Sequence, residues 1–80
     1  MTAVEIEYCH SCGFLDRAEE IEHALLSGLG ERLDRVALVV GEKGVLRVSV
    51  DGTGESEVVF DKEDDEYDAD EIVRRVRERT

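Results

Sequence analysis

The chain opens with a strand-like segment that runs into two closely spaced cysteines and then into a helix-like segment. Val4, Ile6 and Tyr8 alternate with glutamates, which is the two-residue period of a strand with one wet face. Cys9 and Cys12 follow at once, and the apolar residues after them change to helical spacing. This order narrows the available folds more than any other feature, because it places two thiols inside a predicted β-α-β unit.

The first helix is predicted from an apolar stripe that repeats every three to four residues. Asp16 lies in its early turns, where the helix dipole favours acidic side chains, and Gly28 and Gly30 are predicted to end it. The stripe consists of Phe14, Ala18, Ile21, Leu25 and Leu29, with Leu15 and Leu26 beside it.

Three further strands and a second helix are predicted from the rest of the chain. The run RVALVV at residues 35–40 is almost wholly apolar, as in parallel strands that are covered on both faces. Residues 45–50 and 58–60 are predicted strands, with turns at residues 41–44 and from Asp51, since Asp-Gly is a strong turn signal. The stripe of the last helix is Ile72, Val73 and Val76.

The resulting element order is β-α-β-β-β-α, and the predicted fold class is α/β. A helix-containing connection makes the first two strands parallel, whereas the short later turns suit antiparallel hairpins. We therefore expect one domain over residues 1–80, with a four-stranded mixed sheet packed against two helices.

The charge balance limits the partners of this chain. Twenty-one acidic residues face ten basic ones, for a formal net charge of −11, which repels nucleic acid and anionic lipid. No apolar run approaches the ~18 residues that a membrane span needs, and MTAVEIEY lacks the blocks of a signal peptide. We expect a cytoplasmic protein without nucleic-acid or membrane partners. The acidic excess favours a salty cytoplasm, such as that of a haloarchaeon, where the screening length shrinks to ~3 Å at 1 M.

The cysteine pair is better explained by chemistry than by stabilisation. A bridge that closes so short a loop is worth only ~2 kcal/mol in the chain-entropy model, and structural disulfides are rare in the cytosol. Free N–H groups and the positive dipole end at a helix start favour a thiolate. The spacing also lets one sulfur release a mixed disulfide formed on the other. Cys9 and Cys12 are therefore the predicted redox pair.

His10 lies between the cysteines and has two equally weighted interpretations. When protonated it could stabilise a thiolate and make the disulfide a stronger oxidant, or it could be a solvent-exposed turn residue. Glu5, Glu7 and Asp16 act in the opposite sense, because nearby carboxylates raise the pKa of a thiol. His23 is predicted to lie on the polar side of the first helix as a surface residue.

Three segments carry a resemblance to a known family: VEIEYCHSC at the first strand, GVLRVSVDG at the middle hairpin and YDADEIVRRVRER at the last helix. On these segments the chain resembles the selenoprotein W-like (Rdx) family of small thioredoxin-like proteins. The resemblance implies a thioredoxin-like fold and thiol–disulfide oxidoreductase activity, with low-molecular-weight thiols of the glutathione type or protein thiols as partners. Selenium-containing members carry selenocysteine at the position of Cys12, whereas the first cysteine, here Cys9, attacks in ordinary thioredoxins. Which cysteine attacks stays open.

Two other interpretations stay open. Cys9 and Cys12 have the spacing of half a tetrahedral zinc site, but the chain has no second pair, so such a site would be shared across a dimer. Alternatively the domain is a redox-sensitive protein-binding module without turnover, which recognises its partner around Tyr8, Cys9 and Phe14. No cofactor is expected, and the sequence leaves the oligomeric state open.

Overall fold

The computed structural model describes residues 2–52 and 56–80. Within these ranges it contains four strands and two α-helices in the predicted β-α-β-β-β-α order, with a single 3₁₀ turn after the first helix. Neither helix there combines the length and the apolarity that crossing a bilayer requires. The elements are β1 (Ala3–Tyr8), α1 (Leu15–Leu29), the 3₁₀ turn (Gly30–Arg32), β2 (Arg35–Val40), β3 (Leu46–Asp51), β4 (Ser56–Asp61) and α2 (Ala69–Arg77).

The strands form one mixed sheet in the order β2-β1-β3-β4. β1 is central: it pairs in parallel with β2, where Tyr8 lies opposite Val40, and antiparallel with β3, where Tyr8 lies opposite Leu46. β3 and β4 are antiparallel. The predicted four-stranded mixed sheet and its thioredoxin-like order are confirmed. The turn predicted from Asp51 falls largely on residues 53–55, which lie outside the described residues.

The alternation in β1 has the consequence that its period predicts. Val4, Ile6 and Tyr8 face the core, and Glu5 and Glu7 face the opposite, open side of the sheet. Both helices contribute to the same core, so one face of the sheet is covered and the other is not. The buried core consists of Val4, Ile6, Tyr8, Ala18, Ile21, Leu25, Leu29, Leu46, Val48, Val50, Val59, Phe60, Ile72 and Val76.

β2 is an edge strand, and the prediction that it is covered on both faces is wrong. Val36 and Leu38 pack against the core but stay partly exposed, and Val40 is 64% exposed. The apolar composition of β2 is typical of a strand that is covered on both faces. Composition does not show whether a strand lies in the centre or at the edge of its sheet, so the edge position could not be predicted. Both helices pack on one face, so the other face of β2 has no cover.

α1 differs from its prediction at its C-terminal part. The helix continues through Gly28 and ends at Leu29, so Gly28 does not terminate it. A Cβ atom at Gly28 would lie 3.5 Å from Val73 Cγ1, which places a small residue where α1 and α2 approach each other. Leu26, predicted beside the apolar stripe, is 49% exposed and lies outside the core.

β4 contains a bulge that turns two consecutive residues inward. Phe60 lies opposite Val48, but Val58 lies opposite Ser49, so Val59 is the extra residue. Val59 and Phe60 are both buried, which strict alternation would not allow. The bulge thereby brings the largest fully buried side chain, that of Phe60, into the core without exposing Val59.

Candidate functional site

The two cysteines lie in the connection between β1 and α1, as predicted. β1 ends at Tyr8, and α1 begins at Leu15 with Phe14 as its N-cap residue and no side-chain cap. Cys9 and Cys12 form a disulfide with their Cα atoms 5.4 Å apart, within the usual range for a bridged pair. The pair therefore meets the geometric requirement of a dithiol–disulfide couple.

A tight turn brings the two sulfurs together. The Gly13 N–H donates to the His10 carbonyl at 3.1 Å, and the Phe14 N–H donates to the Cys9 carbonyl at 3.4 Å. Gly13 has φ +77°, in the left-handed region that residues with a Cβ atom rarely occupy. Glycine at this position therefore lets the chain fold back before α1 begins.

The two cysteines differ in their access to solvent. Cys9 is only 1% exposed, whereas Cys12 is exposed. The Cys9 N–H donates to the Val45 carbonyl at 2.8 Å, which holds Cys9 beside the start of β3, and its Sγ lies 3.5 Å from Ser11 Oγ. An external thiol or disulfide can therefore reach the sulfur of Cys12 without opening the fold, but not that of Cys9.

The neighbouring charged residues are arranged around this turn and on the open face. His10 is exposed in the turn, and its proposed influence on the thiolate stays a prediction. The Glu7 carboxylate accepts from Arg47 Nη1 at 3.2 Å on the open face of the sheet, so a cation already partners it. His23 is exposed on α1, with Nε2 3.4 Å from Ser27 Oγ.

A group of cations and aromatic rings next to the motif was not predicted from the sequence. Arg17 Cζ lies 5.6 Å from the Phe14 ring centroid and 5.4 Å from that of Tyr67, and Lys62 Nζ lies 5.3 Å from the Phe14 centroid. Tyr67 donates its hydroxyl hydrogen to Glu20. Burial, and to a lesser extent this hydrogen bond, raise the pKa of Tyr67. We call Phe14, Arg17, Lys62 and Tyr67 the cation–aromatic patch.

Only two of the four residues of this patch can be connected from the sequence alone. Phe14 and Arg17 are three residues apart at the start of a predicted helix, a spacing that makes side chains neighbours. Lys62 and Tyr67 come from the connection between β4 and α2, and only the tertiary fold brings them to α1.

The binding-module interpretation predicts that a partner is recognised around Tyr8, Cys9 and Phe14. This prediction is wrong at two of the three positions. Tyr8 is 7% exposed on the core face of the central strand, and Cys9 is buried, with its N–H bonded to the Val45 carbonyl. Phe14 is partly exposed. Of these three positions, only Phe14 is therefore open to a partner.

The metal interpretation gains no ligand set from the fold. Across residues 2–52 and 56–80, no three His, Cys, Asp or Glu side chains gather in an arrangement that could hold a metal ion. A zinc site shared between two copies of the chain stays a prediction.

Comparison with known proteins gives a family and two similar structures. A family model described as the Rdx family matches residues 3–78. A crystal structure of a Bordetella parapertussis protein is 33% identical, with a TM-score of 0.86 over 99% of this chain and 98% of that one. A crystal structure of a selenoprotein W-related protein from Vibrio cholerae shares the fold at 24% identity, with a TM-score of 0.82 over 96% of this chain and 94% of that one. No curated protein matches.

Proposed function

The chain belongs to the Rdx family, and we propose that it acts as a thiol–disulfide oxidoreductase with Cys9 and Cys12 as its redox pair. The observation that carries this proposal is the unequal exposure of two cysteines that are close enough to form a disulfide. An exposed sulfur can meet a partner, and a buried neighbour can then displace that partner. We accordingly assign attack to Cys12 and resolution to Cys9.

The reductive half of the cycle starts from the dithiol. Cys12 loses its proton, and the thiolate attacks one sulfur of the partner's disulfide. The partner's S–S bond breaks, its first thiolate leaves and takes up a proton, and a mixed disulfide remains on Cys12. Cys9, after losing its own proton, attacks the Cys12 sulfur and releases the second partner thiol. The partner has gained the two electrons and two protons that the dithiol has lost.

The oxidised pair is returned to the dithiol by other thiols. Two molecules of a low-molecular-weight thiol, or one protein dithiol, exchange with the Cys9–Cys12 disulfide and become a disulfide themselves. We propose that His10, when protonated, and the free N–H groups at the start of α1 favour the Cys12 thiolate. Small thiols and protein thiols are thus the proposed partners.

Single substitutions test both the cycle and the assignment of roles. We expect Cys9→Ser and Cys12→Ser each to abolish multiple-turnover reduction of a model disulfide. Cys9→Ser should still attack through Cys12 and accumulate a stable mixed disulfide, because the resolving thiol is missing. Intact-protein mass spectrometry after incubation with the disulfide measures that adduct.

The double substitution Cys9→Ser/Cys12→Ser serves as the blank for this experiment. Wild-type turnover in either single variant would refute the two-thiol cycle, and an adduct only in Cys12→Ser would reverse the two roles. A very low midpoint potential without any exchange would instead favour a redox-sensitive binding module. Stoichiometric zinc after purification would favour the metal interpretation.

A further inference from the structure

The end of the sheet that carries the cysteine pair also carries both lysines of the chain. Lys43 lies in the turn that joins β2 to β3 at this end. The Lys62 N–H donates to the Leu46 carbonyl at 3.0 Å, and Leu46 lies opposite Tyr8, the residue before Cys9. A chain with 21 acidic and ten basic residues therefore places both of its lysines at the end of the sheet where its candidate reactive sulfur lies.

Both cations of the patch contact the faces of aromatic rings and not carboxylates. Arg17 lies over the rings of Phe14 and Tyr67, and Lys62 lies over the ring of Phe14. In the described part of the chain neither forms an ion pair, whereas four arginines do. Contact with a ring face leaves N–H donors available for an incoming anion. The four arginines in ion pairs are Arg47, Arg74, Arg75 and Arg79.

The patch is anchored to the fold and begins two residues after Cys12 in the chain. The ring of Tyr67 meets the buried ring of Phe60 edge-on, with centroids 6.3 Å apart and an interplanar angle of 78°. Phe14 is two residues beyond Cys12, and its N–H is bonded to the Cys9 carbonyl. A partner bound at Cys12 therefore approaches side chains that the fold already holds in place.

We propose that the cation–aromatic patch binds carboxylates beside the disulfide of a protein partner, so that the preferred substrates are disulfides within acidic protein segments. Guanidinium and ammonium groups form charge-assisted hydrogen bonds with carboxylates. The net charge of −11 repels an acidic partner as a whole, and the patch supplies local attraction where the sulfurs must meet. This inference rests on the proposed function.

The extent of the patch favours a protein segment over a small disulfide. Arg17 bridges two rings that lie 5.6 and 5.4 Å from its Cζ atom, so the patch extends from Phe14, two residues after Cys12 in the chain, to Tyr67. An extended chain, which advances ~3.3 Å per residue, covers that span with several residues. Glu20 bonds to Tyr67 at the far side, so the partner's carboxylates are expected near Arg17 and Lys62.

The test uses single-turnover kinetics, which need no electron donor. The reduced protein is mixed with peptides that contain one internal disulfide and differ only in flanking Glu-Glu, Ser-Ser or Lys-Lys pairs. Each second-order rate constant is divided by that for dithiothreitol with the same peptide, which removes intrinsic differences in disulfide reactivity. We expect a normalised rate about three- to tenfold higher for the glutamate peptide than for the serine peptide, from two exposed charge contacts.

A matched pair of double variants distinguishes the effect of the patch on substrate preference from the effect of net charge. Arg17→Gln/Lys62→Gln and Arg32→Gln/Arg77→Gln each remove two positive charges from a chain of net charge −11. Arg32 and Arg77 are exposed and lie outside the patch. The first variant should lose the preference for the glutamate peptide, and the second should keep it.

Several outcomes would overturn the inference. Equal normalised rates for all three peptides, or equal loss of preference in both double variants, would overturn it while leaving the proposed function intact. An equally strong preference for dithiodipropionate over hydroxyethyl disulfide would assign the patch to small anionic disulfides instead of protein segments. If no disulfide reacted at all, the proposed function would fall and the inference with it.

Discussion

At the scale of single residues, the two cysteines of one short turn differ in their surroundings, since Cys9 is buried and Cys12 is exposed. The spacing of Cys9 and Cys12 and their place after a strand are visible in the sequence. Their unequal exposure is not visible there, because Cys9 lies against a distant part of the chain, where its N–H donates to the Val45 carbonyl. The patch beside them depends likewise on Lys62 and Tyr67, which no local pattern connects to α1.

His10 offers a test at this scale, with His23 as a control that has the same side chain outside the turn. If His10 stabilises the thiolate, His10→Gln should lower the midpoint potential of the pair by about 10–20 mV, since 30 mV corresponds to about 1.4 kcal/mol. The measurement is equilibration with a glutathione redox buffer at fixed pH. His23→Gln should leave the potential unchanged, and an equal potential in His10→Gln would make His10 an ordinary turn residue.

At the scale of elements, period and turn chemistry predict every strand and helix, but not their neighbours. The alternation in β1 and the stripe of α1 are local signals, and both elements form where they are predicted. The edge position of β2 and the bulge at Val59 are not local, because they depend on which strands pair and in which register. The apolar run of β2 therefore predicts a second cover that the fold does not supply.

Arg75 connects α2 to the bulge in β4. Its Nη1 donates to the Val59 carbonyl at 2.9 Å and lies 3.3 Å from Asp65 Oδ2, while its Nε lies 3.1 Å from Glu71 Oε2. We expect Arg75→Leu to lower the free energy of unfolding by about 1–2 kcal/mol, chiefly because the Val59 carbonyl loses its charged donor. Urea denaturation measures the change, with Arg77→Leu on the same helix as the control.

The effect of Arg75→Leu should also depend on pH. Hydrogen bonds from Arg74 and then from Arg75 lower the pKa of Glu71. A carboxylate with a lowered pKa stabilises the folded state above its unfolded pKa of about 4.3, and this contribution is lost as the pH falls through the folded value. The destabilisation should therefore be smaller at pH 3 than at pH 7. A difference that does not change with pH would show that the Glu71 contact contributes nothing.

At the scale of the whole molecule, the fold places both helices on one face of the sheet and leaves the other face uncovered. Arg47 lies on that open face near the start of β3, 3.2 Å from both a Glu7 and an Asp61 oxygen, and so ties three adjacent strands together. Around this frame the chain carries a large acidic excess. Composition predicts that excess but not the position of the few cations.

Self-repulsion of this charge should make stability depend on salt. We expect the melting temperature to rise by about 10 °C between 0.1 and 3 M KCl, because concentrated salt screens repulsion that destabilises the compact state. Differential scanning calorimetry measures the slope. The triple variant Glu19→Gln/Glu31→Gln/Glu66→Gln, altered only at exposed positions, should show a shallower slope. A flat curve for the wild type would contradict adaptation to a salty cytoplasm.

The central position of β1 has a consequence for the newly made polypeptide. β1 is translated before both of its neighbours in the sheet. The antiparallel partner of Ala3 is Asp51, which is translated much later. At about 5–20 residues per second, the ribosome needs several seconds to deliver that partner. Throughout this interval Cys9 lacks the burial that it has in the finished fold. The nascent chain therefore presents two accessible sulfurs, whereas the finished fold presents only that of Cys12.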